Sequence, residues 1–505
     1  MNDDDAAAPA AEDAPSKKVG NDTPTPPSIQ LRTALRRYLT VLNGVEQIVD
    51  LSKPHLPSLD ALTHIVDALA AERGVSISAD QRLQIRDILV DLLIAYRDHF
   101  DELGRLHSEG QNKSDIQKLH AEKMTAIWDS GYERLSETST DGVLALDLML
   151  SVNPEAIVRQ PSELFYSSLM VSTVSACEVY LGQTMRAFLR TKPEALFGTE
   201  IKFQFADINQ FDSIQSLRNH HIERQVEGII RQGGIEEWMK WFQTKVKVDF
   251  PQVTESPNQI REIFQRRHIH VHNDGEVSDL YLAKTKDAAK EGLTAGQYLG
   301  IDEEYLLQAV DRLRSFGIAL AVVLARKLTR KPDAALEEFE GYAVNLIYGF
   351  LRQRKFHLVI ELSHLLTDGM GKADRKLLLQ VNQWIARKET GDKRVSSEVA
   401  AWDTSAMYPT FDLAKLALLD EVEQAHELAK KLVDNGTLSE QEYLDWPLLE
   451  EVRKAFPGNC SNEGEGLVEN VANSPQVELP AQALSYDEQP PVILEERTVR
   501  DRSPS

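Results

Sequence analysis

Apolar residues in this chain recur three and four positions apart almost from end to end, and the alternating Val, Ile and Thr runs that mark strands are nearly absent. That periodicity predicts an all-α fold, because a helix with one apolar stripe must bury it against other helices. Leu31, Leu35, Leu39 and Leu42, followed by Val45, Ile48 and Val49, mark a first helix that Pro54 stops. Leu83, Ile85, Ile88, Leu89, Leu92, Leu93 and Tyr96 mark a longer one, with weaker helical segments over 58–72 and 115–135. Further helices are expected over about 164–191 and 303–327, the second apolar from Ile318 to Ala325 and expected to be buried.

At 505 residues the chain is too long for one core. Residues 1–28 are rich in Ala, Pro and Asp, and residues 458–505 in Gly, Pro and acids, so both read as disordered, solvated tails. Val492-Ile-Leu494 is the one apolar triplet there that offers a short partner-binding segment. Between the tails we expect an α-helical N-terminal region (29–157), a central domain (158–328) and a third block (335–457) that follows Lys331-Pro332. In the third block Leu346–Leu351 and Phe356–Leu366 read as a helical hairpin, and the pattern returns at 413–419 and 422–433. Phe356, Val359 and Leu362 superpose on Val422, Ala425 and Leu428 at an offset of 66, near two tetratricopeptide-like (TPR-like) periods of about 34. The stretch 377–402 between them matches poorly, so an α-solenoid fragment and two paired helices without true repeats both fit.

Charge and composition exclude several functions. The net charge of −23 opposes broad, salt-driven coating of nucleic acid, and the two tails hold ten of those net negative charges. A polyanion site must therefore be a local basic pocket, and no DNA partner is expected. Two cysteines, Cys177 and Cys460, support neither a disulfide framework nor a Cys-based zinc module, and Cys177 reads as core. The longest uninterrupted apolar stretch, Phe316–Ala325, is far short of the roughly 20 residues that span a bilayer. Asp3, Asp4 and Asp5 stand where a secretory signal needs positive charge. A cytoplasmic protein with no membrane partner is the expectation. Gly369-Met-Gly371-Lys372 lacks the upstream glycine and the following Ser/Thr of a phosphate-binding loop, and no Gly-x-Ser-x-Gly, His-Glu-x-x-His or Gly-x-Gly-x-x-Gly occurs.

The chemistry concentrates in 259–275, Gln-Ile-Arg-Glu-Ile-Phe-Gln-Arg-Arg-His-Ile-His-Val-His-Asn-Asp-Gly. Ile260, Ile263, Phe264 and Val271 give it the apolar side of a helix, and Asn273-Asp-Gly275 is a helix stop. Arg261, Arg266 and Arg267 against Glu262 make a basic island, with imidazoles at 268, 270 and 272. Histidine moves protons near neutrality and arginine holds phosphate through paired donors. Together they suffice for cleaving RNA without a metal: a base activates the ribose 2′-hydroxyl, an acid protonates the leaving oxygen, and a fixed cation stabilises the pentavalent phosphate.

Glu262-x3-Arg266-Arg267-x4-His272 followed by Asn-Asp-Gly resembles the Glu-x3-Lys/Arg-Arg-x4–6-His signature of the HEPN superfamily, over about one third of the chain. The resemblance implies a four-helix core that dimerises, placing the arginine and histidine of both copies in a shared cleft. It further implies a metal-independent, cofactor-free endoribonuclease acting on RNA, of the kind found in prokaryotic defence and toxin systems. By matching positions Arg267 and His272 are the catalytic pair, supported by Glu262, Arg266, Asn273 and His268, the last standing where the family usually carries asparagine or another polar residue. Glu178 in the preceding long helix is a looser match to an acidic position of some members. HEPN domains also occur as inactive binding modules, so the alternative is a scaffold acting through its helical C-terminal region on a protein partner.

Simpler accounts of the same residues exist. An arginine pair on a helix is usually solvated, and His270, between Ile269 and Val271, suits a half-buried structural role. Arg-x4–6-His alone is common by chance, as Arg352-x4-His357 shows. His268, His270 and His272 would line one face of a strand and chelate zinc or iron, but on a helix each step turns them by about 200° and they diverge.

Overall fold

The computed structural model describes residues 25–53, 61–108, 112–151, 161–196, 208, 210–285 and 292–457. Among these residues the protein forms nineteen α-helices, a few 3₁₀ turns and no strand, only one isolated antiparallel bridge between Glu276 and Tyr298. The expected C-terminal tail with Val492–Leu494, and Cys460 and Pro54, lie outside the described residues. So does most of the N-terminal segment assigned to a tail, but its last two residues, Pro27 and Ser28, already begin helix α1. Proline suits that first turn, where its missing N–H leaves no bond unmade.

Helix α1 (Pro27–Ser52) does not stay with the N-terminal region expected over 29–157. It packs against α6 (Pro161–Thr191), α11 (Glu303–Leu328) and α12 (Ala334–Arg352). The remainder of that region, α2 (Ala61–Arg73), α3 (Ala79–Ser108), α4 (Lys113–Ser139) and α5 (Gly142–Ser151), closes around its own core of Val66, Ile85, Leu89, Leu135, Leu144 and Leu148. Sequence order suggested one region, but the stripe of α1 (Leu31, Leu35, Leu42, Val49) finds its apolar partners far along the chain.

Around α6 the central helices assemble: α7 (Ile214–Gln232), α9 (Pro257–His272) and α11 all pack on it, while α8 (Ile235–Val246) and α10 (Asp279–Thr285) pack on α9. Helix α6 is long and apolar enough to span a membrane by length and composition, yet 44% of that window is buried inside the fold. Serine and threonine break up its sequence, which is why uninterrupted apolar runs do not reveal it. Helix α11 is buried nearly all round from Ala309 to Ala325, as its composition predicts. Helices α12 and α13 (Phe356–Leu366) also pack on α11. The boundary expected between 328 and 335 is therefore no break. The described residues up to Ala386 form one compact unit and those from Arg387 another.

The second unit contains α15 (Arg394–Ala400), α16 (Pro409–Leu418), α17 (Val422–Asp434), α18 (Glu440–Asp445) and α19 (Glu450–Ala455) around Leu413, Ala425, Ala429, Leu432 and Leu449. Helix α14 (Ala373–Glu389) crosses the division. The offset of 66 reappears in the backbone: Arg354 (φ 57°) and Asp420 (φ 61°) both turn the chain left-handed between paired helices. In each, the next N–H bonds five residues back, Lys355 to the Phe350 carbonyl at 2.9 Å and Glu421 to the Leu416 carbonyl at 3.0 Å. Gly391 (φ 84°) repeats the turn, with Asp392 N–H on the Arg387 carbonyl at 2.9 Å, inside the stretch whose side chains match poorly. This helix stop satisfies the last carbonyls without demanding particular side chains, so side-chain comparison misses it.

One contact fixes how closely α1, α6 and α11 approach. Tyr38 and Tyr180 stack with ring centroids 4.6 Å apart, and their hydroxyls donate to the carbonyls of Leu313 (3.0 Å) and Gly317 (2.7 Å). A Cβ at Gly317 would lie 2.5 Å from the Tyr38 ring. Alanine in an exposed helix normally gains about 1 kcal/mol over glycine. Here overpacking reverses the sign, and Gly317→Ala is expected to destabilise the protein by about 1–3 kcal/mol in urea unfolding. Unchanged or increased stability would show that the helices separate freely.

Candidate functional site

Helix α9 begins at Pro257 and runs to His272, so Arg266, Arg267 and the three histidines occupy its last turns, while Arg261 lies nearer its start and pairs with Glu236. Its stop is built by Asn273-Asp274-Gly275: the Asn273 and Gly275 N–H groups both donate to the Ile269 carbonyl, at 2.8 and 3.0 Å. Asp274 (φ 54°) and Gly275 (φ 83°) are left-handed, and Gly275 sits so near the Tyr298 ring that a Cβ would come within 2.5 Å of it. The chain then returns: Val277 N–H bonds the Gln297 carbonyl (2.9 Å) and Leu299 N–H the Gly275 carbonyl (2.9 Å). This clip places the 297–300 segment beside α9.

The doubled arginine divides into two roles. Arg266 points inward and is buried, its Nε donating to Glu262 Oε1 at 2.8 Å and its Nη1 to the Gly300 carbonyl at 2.9 Å. Glu262 is buried too and accepts two phenols, Tyr281 on Oε1 (2.7 Å) and Tyr305 on Oε2 (2.6 Å). The Tyr305 ring lies under the Arg266 guanidinium at 4.1 Å. Burial, then the Glu262 charge, pushes both phenols above their usual range, so they remain donors. This network fastens α9 to α10 and α11. Tyr281 and Tyr305 escape sequence inspection, because they stand 19 and 43 residues from Glu262 with no motif between; only the Glu262–Arg266 spacing of four is visible in the sequence.

Arg267 takes the other side of α9 and faces α6. Its Nη2 lies 3.7 Å from Glu178 Oε2, both side chains about three-quarters covered. Its Nε is buried and has no hydrogen-bond partner among the described residues. Burial raises the Glu178 carboxyl above its ordinary value, against the opposing pull of Arg267. His268 and His272 are exposed and share a face, their rings 4.6 Å apart. Partial desolvation of the ring first, then the neighbouring His272, Lys284 and Arg267, lowers His268 from the ordinary histidine value. Asn273 serves the site as the exposed cap of α9.

Arg267 and His272 are five helical positions apart, about 140° around the axis and about 7.5 Å along it. They share a helix end without touching. His270 turns away from both: its Nε2 meets the Leu299 carbonyl at 2.8 Å, so that nitrogen carries the proton. The expected divergence therefore holds for His270 alone: two steps of about 200° bring His268 and His272 back to one face, and no group of three or more His, Cys, Asp or Glu side chains able to hold a metal occurs among the described residues. Elsewhere, His357 of the chance Arg352-x4-His357 match lies 3.1 Å from Asp311.

Comparison of the chain with protein-family models, with curated proteins and with solved structures finds no match.

Two outcomes test this geometry. Glu262→Ala strands a buried guanidinium and two phenols, and should cost about 3–5 kcal/mol in urea unfolding; a loss within experimental error would mean the network is dispensable. His268 has a folded-state pKa below its unfolded one, so the unfolded chain binds the extra proton and stability falls as pH drops through the ordinary histidine range. Unfolding midpoints at about pH 7.5 and pH 5.5 should therefore differ less in His268→Gln than in wild type; equal differences would contradict it.

Proposed function

We propose that the protein is a HEPN-type, metal-independent endoribonuclease whose active centre forms where two copies bring their α9 ends together. The observation that supports it most is Arg267: a half-buried guanidinium with a buried, unpartnered Nε and only a loose carboxylate neighbour, at the helix end that carries two exposed imidazoles 4.6 Å apart. A cation so placed has donors to give to a phosphate, and desolvation strengthens what it gives. Val179 on α6 and Val271 on α9 are 60% and 45% exposed, and they offer apolar surface for a second copy beside the charged groups.

In this mechanism His272 of one copy takes the proton from the ribose 2′-hydroxyl, the oxygen attacks the adjacent phosphorus, and the 5′-oxygen leaves with a proton from an imidazole of the facing copy. Arg267 holds the non-bridging oxygens throughout. Glu262 and Arg266 act from beneath by fixing α9, and Glu178 orients Arg267. His268 stands beside His272 on the exposed face of the helix end, where the substrate strand would lie. The chain's overall acidity then confines phosphate attraction to this centre. A defence or toxin role in the cytoplasm is part of the same proposal and rests on the sequence resemblance alone, as does a protein partner for the C-terminal helices.

The test is cleavage of total RNA in excess chelator. Wild type should yield 2′,3′-cyclic phosphate ends, and Arg267→Ala and His272→Ala should each lower the rate by about 10²–10⁴-fold. Wild-type protein inert on RNA, or cleavage untouched by both substitutions, would favour a catalytically silent HEPN scaffold.

A further inference from the structure

A second polar site lies away from α9, in a cleft of about 780 Å³ walled by α1, α11, α12 and the turn that follows α12. Its floor is a charge cluster in which Arg314 and Asp311 are buried and Glu46 and Lys355 half-buried. Arg314, 1% exposed, donates to Glu46, Asp311 and Asn43, and Lys355 donates to Glu46 and to Asp311 at 2.8 Å. Burying the Arg314–Asp311 pair costs more than an apolar pair of the same volume would, which points to a use beyond stability.

Matching the charges leaves one over. Glu46 and Asp311 are taken by Arg314 and Lys355, and Asp50 by Lys53 at 2.9 Å. Arg36, on the cleft wall, has no carboxylate partner among the described residues and lies 6.0 Å from the Tyr342 ring centroid. The buried Arg314 Nε likewise lacks a hydrogen-bond partner among them. Two aromatic rings, Tyr342 and Phe350, and two amides, Asn43 and Asn345, complete the lining this argument needs. The volume falls within the range of small-molecule sites, about 300–1,000 Å³.

We propose that this cleft binds a nucleoside monophosphate, its phosphate on Arg36 and its base against Tyr342 and Phe350 with the amides reading the base edge. One spare guanidinium suits one anionic group. The half-buried Tyr342 ring supplies the stacking surface, with the buried Phe350 as apolar wall, and amides satisfy donors and acceptors alike. The site is separate from the proposed nuclease centre and stands or falls without it.

Calorimetric titration of the full chain with AMP, GMP, CMP and UMP in turn tests it. At least one should bind with a dissociation constant below about 1 mM. Arg36→Gln, at an exposed position, and Tyr342→Leu, with folding checked by thermal melting, should each weaken that nucleotide at least about tenfold. Inorganic phosphate alone should bind at least about tenfold more weakly, because the ring contributes. Arg267→Ala combined with His272→Ala should leave binding unchanged. The proposal is overturned if none of the four nucleotides binds, if neither cleft variant alters binding, or if binding disappears with the α9 double variant instead.

Discussion

A single buried carboxylate organises the candidate centre. Glu262 accepts from Arg266, Tyr281 and Tyr305, which between them stand on α9, α10 and α11. A lone ion in a helical core would be very costly, and a pair is tolerable only when further hydrogen bonds complete it. Here the two phenols and the Gly300 carbonyl complete it. With Arg266 committed inward, the next residue along the helix must turn elsewhere, and Arg267 reaches α6 and Glu178. The inward arginine thereby sets which way the outward one faces.

The surrounding helices make that arrangement rigid. Helix α11 is buried nearly all round and receives α1, α6, α9, α12 and α13. The Tyr38–Tyr180 stack, closed over Gly317, fixes the spacing of three of them. Below α9, the Asn273–Gly275 stop and its clip to Leu299 bring the 297–300 segment up against His270 and Arg266. Long-range contacts of this kind are cheap for a well-packed helical core to maintain and hard to replace one at a time.

Fold class was legible in the sequence because helical periodicity is a local signal, and Glu303–Leu328 and Pro161–Thr191 lie within a few residues of where it places them. Domain grouping was less legible. The stripe of α1 says only that the helix is buried, not that its partners lie more than a hundred residues on. The repeated hairpin turn at 354, 391 and 420 is a backbone property shared by Arg, Gly and Asp, so side-chain matching recovered the outer two turns and lost the middle one. At the site, the spacing of Glu262, Arg266, Arg267 and His272 was readable. The separation of the two arginines into an inward anchor and a cation facing α6 was not, because it depends on tyrosines brought in by tertiary packing. The charged cleft on α1 and α12 left no sequence trace either, since its pairs join residues such as Glu46 and Arg314.

The proposed chemistry makes the substrate's own 2′-hydroxyl the nucleophile, with arginine and histidine at one helix end and no bound ion. The most direct measurement is therefore on the substrate. An oligoribonucleotide with one mapped cleavage position is compared with the same strand carrying a single 2′-deoxyribose on the 5′ side of that phosphate. The account predicts that scission at that phosphate stops while the strand still binds. Cleavage there at an undiminished rate would mean that water, not the ribose, attacks, and the role given to Arg267 and His272 would be wrong.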